Sequence, residues 1–211
     1  MKKYLIILFL LLLDVSLYLN KTKMSMTEVI DLKLQDNELA VTILSLENSK
    51  SILLNNTDLL VLEYIDSTDI QETLNLYNVD ILDNLILISN DVVDVKSYNK
   101  QTLNKKVEIE NVNILKNNNI ITINYLDYSF CIYKEGLNKI LNNCDFVYFL
   151  SLDNIDFSDE VLVTFFDSII KKEKIEKYYD KWVDSYILNV KSFYTLKLLK
   201  DDYNVIEIPI K

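Results

Sequence analysis

The chain has 211 residues, a formal net charge of −10 and no cation other than lysine. An acidic chain without arginine argues against a nucleic-acid partner, which needs positive surface and commonly bidentate guanidinium groups. Histidine is absent, which excludes Ser-His-Asp and Cys-His catalysis and every imidazole-based zinc site. Half the residues are hydrophobic, so a sizeable core is available and global disorder is not expected. Glycine and proline occur once each, at Gly136 and Pro209, and alanine once, at Ala40. That skew reads as the composition of an AT-rich genome as much as a physical requirement.

Lys2 and Lys3 precede the apolar run Tyr4–Leu13, followed by Asp14 and then Val15–Leu19. No small-x-small cleavage site follows, and Tyr18 and Lys21 suit an interface, so residues 1–21 read as an uncleaved signal-anchor helix. If that segment were cleaved, the protein would be secreted. Residues 22–28 are a tether, and residues 29–211 are one domain, expected outside the cell membrane. Asp14 belongs near the outer interface or against a partner helix.

Val29–Leu34 alternates as a strand, 35–37 turns, and Glu38–Leu46 is a second strand. Lys50–Leu54 and Asp58–Tyr64 follow as strands. Ser67-Thr68-Asp69 opens a helix, with Thr68 and Gln71 spaced as a capping box and Ile70, Leu74 and Tyr77 on its apolar face. Leu85–Ile88 reads as a central strand buried on both faces. In α/β folds chemistry sits at the carboxyl end of such a strand, here Ser89–Val95. The polar stretch through Lys106 gives no periodic signal.

Val107–Ile109, Val112–Leu115, Ile120–Tyr125 and Tyr128–Tyr133 read as strands, the last two forming a hairpin. Gly136–Leu141 suits a short helix and Phe146–Leu150 a buried strand. Ser158 reads as the cap of a helix with Leu162, Phe165, Phe166, Ile169 and Ile170 inward. A kink or a second helix is expected within Lys171–Lys181. Tyr186–Val190 is a strand, Ser192–Lys200 a helix, and Val205–Ile210 a closing strand. Strands first, then strands alternating with helices, predict two sheets packed face to face with helices outside. Cys131 and Cys144 suit a disulfide in an extracytoplasmic domain, or two small apolar core residues, the simpler reading.

These elements resemble the metallo-β-lactamase fold, most closely the carboxyl-terminal domain of competence DNA-uptake channel proteins. Ile43–Leu54, ILSLENSKSILL, is similar to that family's F-L-D-V-G-Q-G-D-S-I-L-I, with Glu47, Asn48 and Ser49 in place of its glycine-rich loop. Val61-Leu62-Glu63-Tyr64 stands where the next family strand ends in an acid and Gly. Asn78–Asn90, NVDILDNLILISN, echoes the family phrase before its metal motif, H-x-H-x-D-H. That motif falls on Asn90–Val95, NDVVDV, where only Asp94 survives. The family's bridging aspartate falls on Glu135, in SFCIYKE, and its later H-H-G-S near Ser151–Asn154.

The resemblance implies a four-layer αββα sandwich of metallo-β-lactamase type, a class of α/β (α+β) fold, whose dinuclear zinc chemistry this chain cannot supply. Neither a catalytic residue nor a cofactor is expected. Asp91, Asp94, Glu135 and Asp153, with Asp156, would meet at one end of such a sandwich. They read as solvated acidic loops or as ligands for Ca²⁺ or Mg²⁺. Ser49-Lys50-Ser51 offers one adjacent Ser-Lys pair. Tyr178, Tyr179 and Trp182 suit an interface with a protein partner in the cell envelope, or core packing. The reading is a non-catalytic, membrane-anchored domain that binds or assembles an envelope complex. The alternative is a hydrolase with a divalent cation held by carboxylates alone.

Overall fold

The computed structural model describes residues 29–46, 49–55, 59–64, 67–88, 95–134, 139–140, 144–152, 155–156, 161–176, 184–189 and 192–209. Residues 1–28 are not among them, so the expected membrane helix lies outside. No helix of the described residues is long and apolar enough to cross a membrane.

The chain is rich in strands. The elements run β1 Leu39–Leu46, β2 Ser49–Asn55, β3 Leu59–Tyr64, α1 Ser67–Leu76, β4 Leu82–Leu87, β5 Ser97–Thr102, β6 Lys106–Ile109, β7 Val112–Asn117 and β8 Ile120–Tyr125. They continue with β9 Tyr128–Tyr133, β10 Lys139–Ile140, β11 Phe146–Phe149, β12 Ile155–Asp156, β13 Val163–Phe166, α2 Lys172–Ile175, β14 Asp184–Ile187, β15 Ser192–Leu198 and β16 Tyr203–Pro209. One seven-stranded sheet has the order β16-β15-β1-β2-β3-β4-β5. The other has the order β14-β13-β11-β9-β8-β7-β6, and β10 and β12 make a small parallel pair.

Alternation along the strands builds three apolar clusters. Val41, Ile43, Ile52, Leu54 and Ile86 of the first sheet share a core with Ile114, Ile123, Phe130, Phe146 and Phe165 of the second. The outer face of the first sheet, with Leu44, Leu53, Leu85 and Phe193, packs on Ile70, Leu74 and Tyr77 at the α1 end. The outer face of the second, with Tyr133, Val147, Phe149 and Phe166, packs on Ile170 and on Ile175 of α2. Cys131 and Cys144 lie in this last cluster and are joined as a disulfide, with Cα atoms 5.9 Å apart. This corrects the simpler reading of two unlinked core residues: both are buried, as that reading had it, but they are bonded to each other.

Several expectations are corrected. Val29–Leu34 alternates in exposure but forms no strand. Asp31 Oδ1 accepts the Lys33 N–H at 2.9 Å, and Lys33 takes a φ of 48°, so a local side-chain turn replaces ladder pairing. Lys139–Ile140 is extended rather than helical, because it pairs with Ile155–Asp156. Val163–Phe166 is a strand, not a helix: parallel to β11 and β14, it is buried on both faces. A short continuous apolar run of that kind fits either period. Ile169, expected inward, is 72% exposed. Ser192–Leu198 is also a strand, held between β1 and β16, and its β-branched and aromatic residues suit that place. The silent stretch before Lys106 holds β5, an exposed polar edge strand beside β4. β4 is covered on both faces as expected, yet it is second from the edge rather than central. Gln71 sends its amide to Asn75 Oδ1 and the Asp80 carbonyl, toward the carboxyl end of α1 rather than back to the cap.

A chain with one glycine must make its tight turns from other residues. Asn78 and Asn118 take positive φ at little cost, whereas Lys33, Glu110 and Leu126 do so with a Cβ penalty.

Candidate functional site

Parallel strands bring their carboxyl ends together, and this chain has two parallel blocks. β3, β4 and β5 run parallel in the first sheet, and β9, β11, β13 and β14 in the second. Ile88 follows β4, Ile132 is the last residue but one of β9, Tyr148 the last but one of β11, and Leu150 follows β11. Together with Lys50, Ser51 and Ile52 of β2, they line one small cavity of about 10 Å³ between the sheets. The bases of the segments carrying Asp91 and Asp94, Glu135, and Asp153 therefore converge. Those four acids lie outside the described residues, as do Tyr178, Tyr179 and Trp182. Asp156 lies in β12. Among the described residues no group of three His, Cys, Asp or Glu is placed to hold a metal ion.

What stands at the convergence is a set of polar bridges between the sheets. Asp167, fully buried, directly follows β13, and alternation turns it inward with Phe165. Lys50 of β2 reaches across the core, its Nζ 2.6 Å from Asp167 Oδ2. Tyr148 donates its hydroxyl to the same oxygen at 2.7 Å, and the Ile169 N–H donates to Oδ1 at 3.1 Å. Lys116 of β7 crosses the other way and donates to the Ile88 carbonyl at 3.0 Å. A buried carboxylate is tolerable only when paired and hydrogen-bonded, and Asp167 is both.

This geometry bears on the Ser-Lys pair. Ser51 is buried, and its Oγ has no hydrogen-bond partner among the described residues. The ammonium of Lys50 is the partner of a buried carboxylate, which leaves it poorly placed to take the Ser51 proton. As disposed, the cluster binds its own charges and joins the two sheets. It presents no paired nucleophile and base.

Lys50, Lys116, Tyr148 and Asp167 were not singled out from the sequence as a group. The available signal was Asp167 itself, an acid immediately after the apolar run VLVTFF. Read as a strand, that run places the acid at a parallel carboxyl end. Read as a helix, it makes the acid an ordinary surface residue.

No family model matches the chain, and no curated protein matches it. Among solved structures, it is similar to the metallo-beta-lactamase fold protein YhfI from Bacillus subtilis at 7% identity and a TM-score of 0.49. The match covers 75% of this chain and 99% of that one. At that TM-score the likeness carries no argument about function.

Proposed function

We propose that the chain is a metallo-β-lactamase-like αββα domain, held outside a cell membrane by residues 1–21, that works by binding within an envelope assembly and not by catalysis. One observation carries this reading. Where the strand ends converge, the described residues enclose about 10 Å³ and are tied across by Lys50, Asp167 and Tyr148. A small-molecule site usually offers several hundred Å³. The absence of histidine from the whole chain supports the same reading. So does the order of elements from β1 through β11, which follows the family pattern, including the helix between β3 and β4. The disulfide supports an oxidising, extracytoplasmic location.

The test is a thermal melt of the full chain in detergent with EDTA, then with Ca²⁺, Mg²⁺, Mn²⁺ and Zn²⁺. No shift with any metal is the expected result. A cation at a hundred times its dissociation constant would stabilise by about 2.7 kcal/mol, a shift of several degrees. Such a shift, lost in Asp94→Ala, would replace this reading with the carboxylate-metal hydrolase.

A further inference from the structure

The first sheet ends in two edge strands of different chemistry. β5, at one end, reads SYNKQT, polar along its length with Lys100 inside it. A polar edge that carries lysine resists pairing with another chain. β16, at the other end, reads YNVIEIP, with Glu207 as its one charged residue and no lysine. None of its residues is buried, and no described strand pairs with its outer edge.

The turn before β16 decides which of its backbone groups point outward. Leu199 donates its N–H to the Asp202 carbonyl at 2.9 Å, so Asp202 faces β15. Alternation along the antiparallel ladder then directs the backbone of Asn204, Ile206 and Ile208 toward β15 as well. Tyr203, Val205, Glu207 and Pro209 turn theirs to the free edge. The Tyr203 N–H is already taken, by Asp202 Oδ1 at 2.8 Å, and proline has none to offer. What remains is a row of carbonyls with the N–H groups of Val205 and Glu207 as its free donors. Ile206 and Ile208 on one face of the strand, and Tyr203 and Val205 on the other, are only partly covered.

Extended backbone complements such a row, and β16 complements itself. With a two-fold axis at Ile206, Val205 of each copy faces Glu207 of the other, and every free N–H of the pair meets a carbonyl. Tyr203 then lies opposite Pro209, where neither has a free donor to lose. Ile206 packs on its own counterpart, with the side chains of a pair that shares no ladder bond held close together. Asp201 and Asp202 of the two copies fall at opposite ends of the joint, so the acidic turns do not face each other.

We propose that β16 is the edge through which two copies of this chain join, antiparallel, into one continuous sheet. The inference is independent of the reading of the strand-end cluster.

Light scattering on the full chain in detergent, at micromolar concentration, should give a protein mass of twice 24.8 kDa. Val205→Pro removes an outward donor without touching the ladder to β15, and Ile206→Lys sets like charges against each other. Both should return the mass to that of one chain, whereas Gln101→Lys on β5 should leave the dimer intact. Cysteines read the register. Ile206→Cys should oxidise to a linked dimer, since facing residues of such a pair stand roughly 4.5 Å apart, within reach of a disulfide. Asn204→Cys, whose copies lie several residues apart along the joint, should not. A single chain at every concentration would overturn the proposal. So would a dimer that survives both β16 substitutions, which would place the contact elsewhere, or Asn204→Cys linking as readily as Ile206→Cys. If Val205→Pro does not fold, Ile206→Lys and the two cysteine variants decide.

Discussion

The two outer faces of the sandwich are covered by different means. The first sheet lies under the ten-residue helix α1, whose Ile70 and Leu74 are fully buried and which shelters the Thr42–Thr195 pair and Tyr77. The second sheet has only the four-residue α2 described over it, contributing Ile175. There the cover is side chain and covalent bond. Phe149 stacks on Phe166 with centroids 5.3 Å apart, Tyr133 meets Phe149 edge-on, and the disulfide ties β9 to the residues before β11. A helix of several turns can roof a face and leave room for polar groups beneath it. Among the described residues, the second face carries one helical turn and is otherwise filled by large rings and a cross-link.

The contrast can be broken first at the junction between the sheets. Lys50→Met leaves Asp167 buried without its cation, and such losses cost about 3–5 kcal/mol. Circular dichroism during urea unfolding should show one transition at a lower midpoint. Two separate transitions would mean that the sheets are independent units and that the two faces should not be compared within one domain.

Removing the disulfide sharpens the contrast. The Cys131→Ala, Cys144→Ala double variant should lose about 3 kcal/mol on the loop-closure estimate for a separation of this size. A loss near zero would leave the aromatic packing as the whole cover of the second face.

The smallest effect is in alkali. Burial raises the phenols of Tyr77, Tyr125, Tyr128, Tyr186, Tyr194 and Tyr203, and nearby carboxylates add to the rise, Asp202 at Tyr128 and Asp184 with Asp202 at Tyr203. Above the unfolded value of about 10, the unfolded chain releases these protons before the folded one does. That part of the stability is thus complete below about pH 10 and is lost as pH climbs through the raised folded values. Melting temperature should fall by a few degrees between about pH 9 and 11, and Tyr77→Phe should flatten the fall. An equally steep fall in that variant would place the sensitivity in the tyrosines between the sheets and not beneath α1.

Much of this architecture was legible where a strand has one clear periodicity. Leu39–Leu46, Ile120–Tyr125 and Tyr128–Tyr133 follow from alternation and turn residues. The helix at 67–76 follows from the spacing of Ile70, Leu74 and Tyr77. The failures cluster where burial on both faces erased the period, at Val163–Phe166, or where an exposed edge removed apolar signal altogether, at Ser97–Thr102. Asp167 and Lys50 lie 117 positions apart in sequence, on different sheets. Nothing local marks them as partners, since their pairing depends on how two sheets face each other. The acids expected at the strand ends, Asp91, Asp94, Glu135 and Asp153, lie outside the described residues.

One feature of the first sheet governs the order in which the protein can fold. β1 lies between β2 and β15, so the first described strand pairs with one near the end of the chain, across 153 positions between Thr42 and Thr195. A nascent chain can zip β1 to β2 early, but one long edge of β1 stays bare until Ser192–Leu198 arrives. Until then Tyr194, Leu196 and Leu198 are missing from the main core. Long-range pairing of this kind slows folding and prolongs exposure of sticky edges. On the proposed location outside a membrane, that delay has a use: a chain threaded across unfolded does not lock into its final form before Ser192–Leu198 arrives.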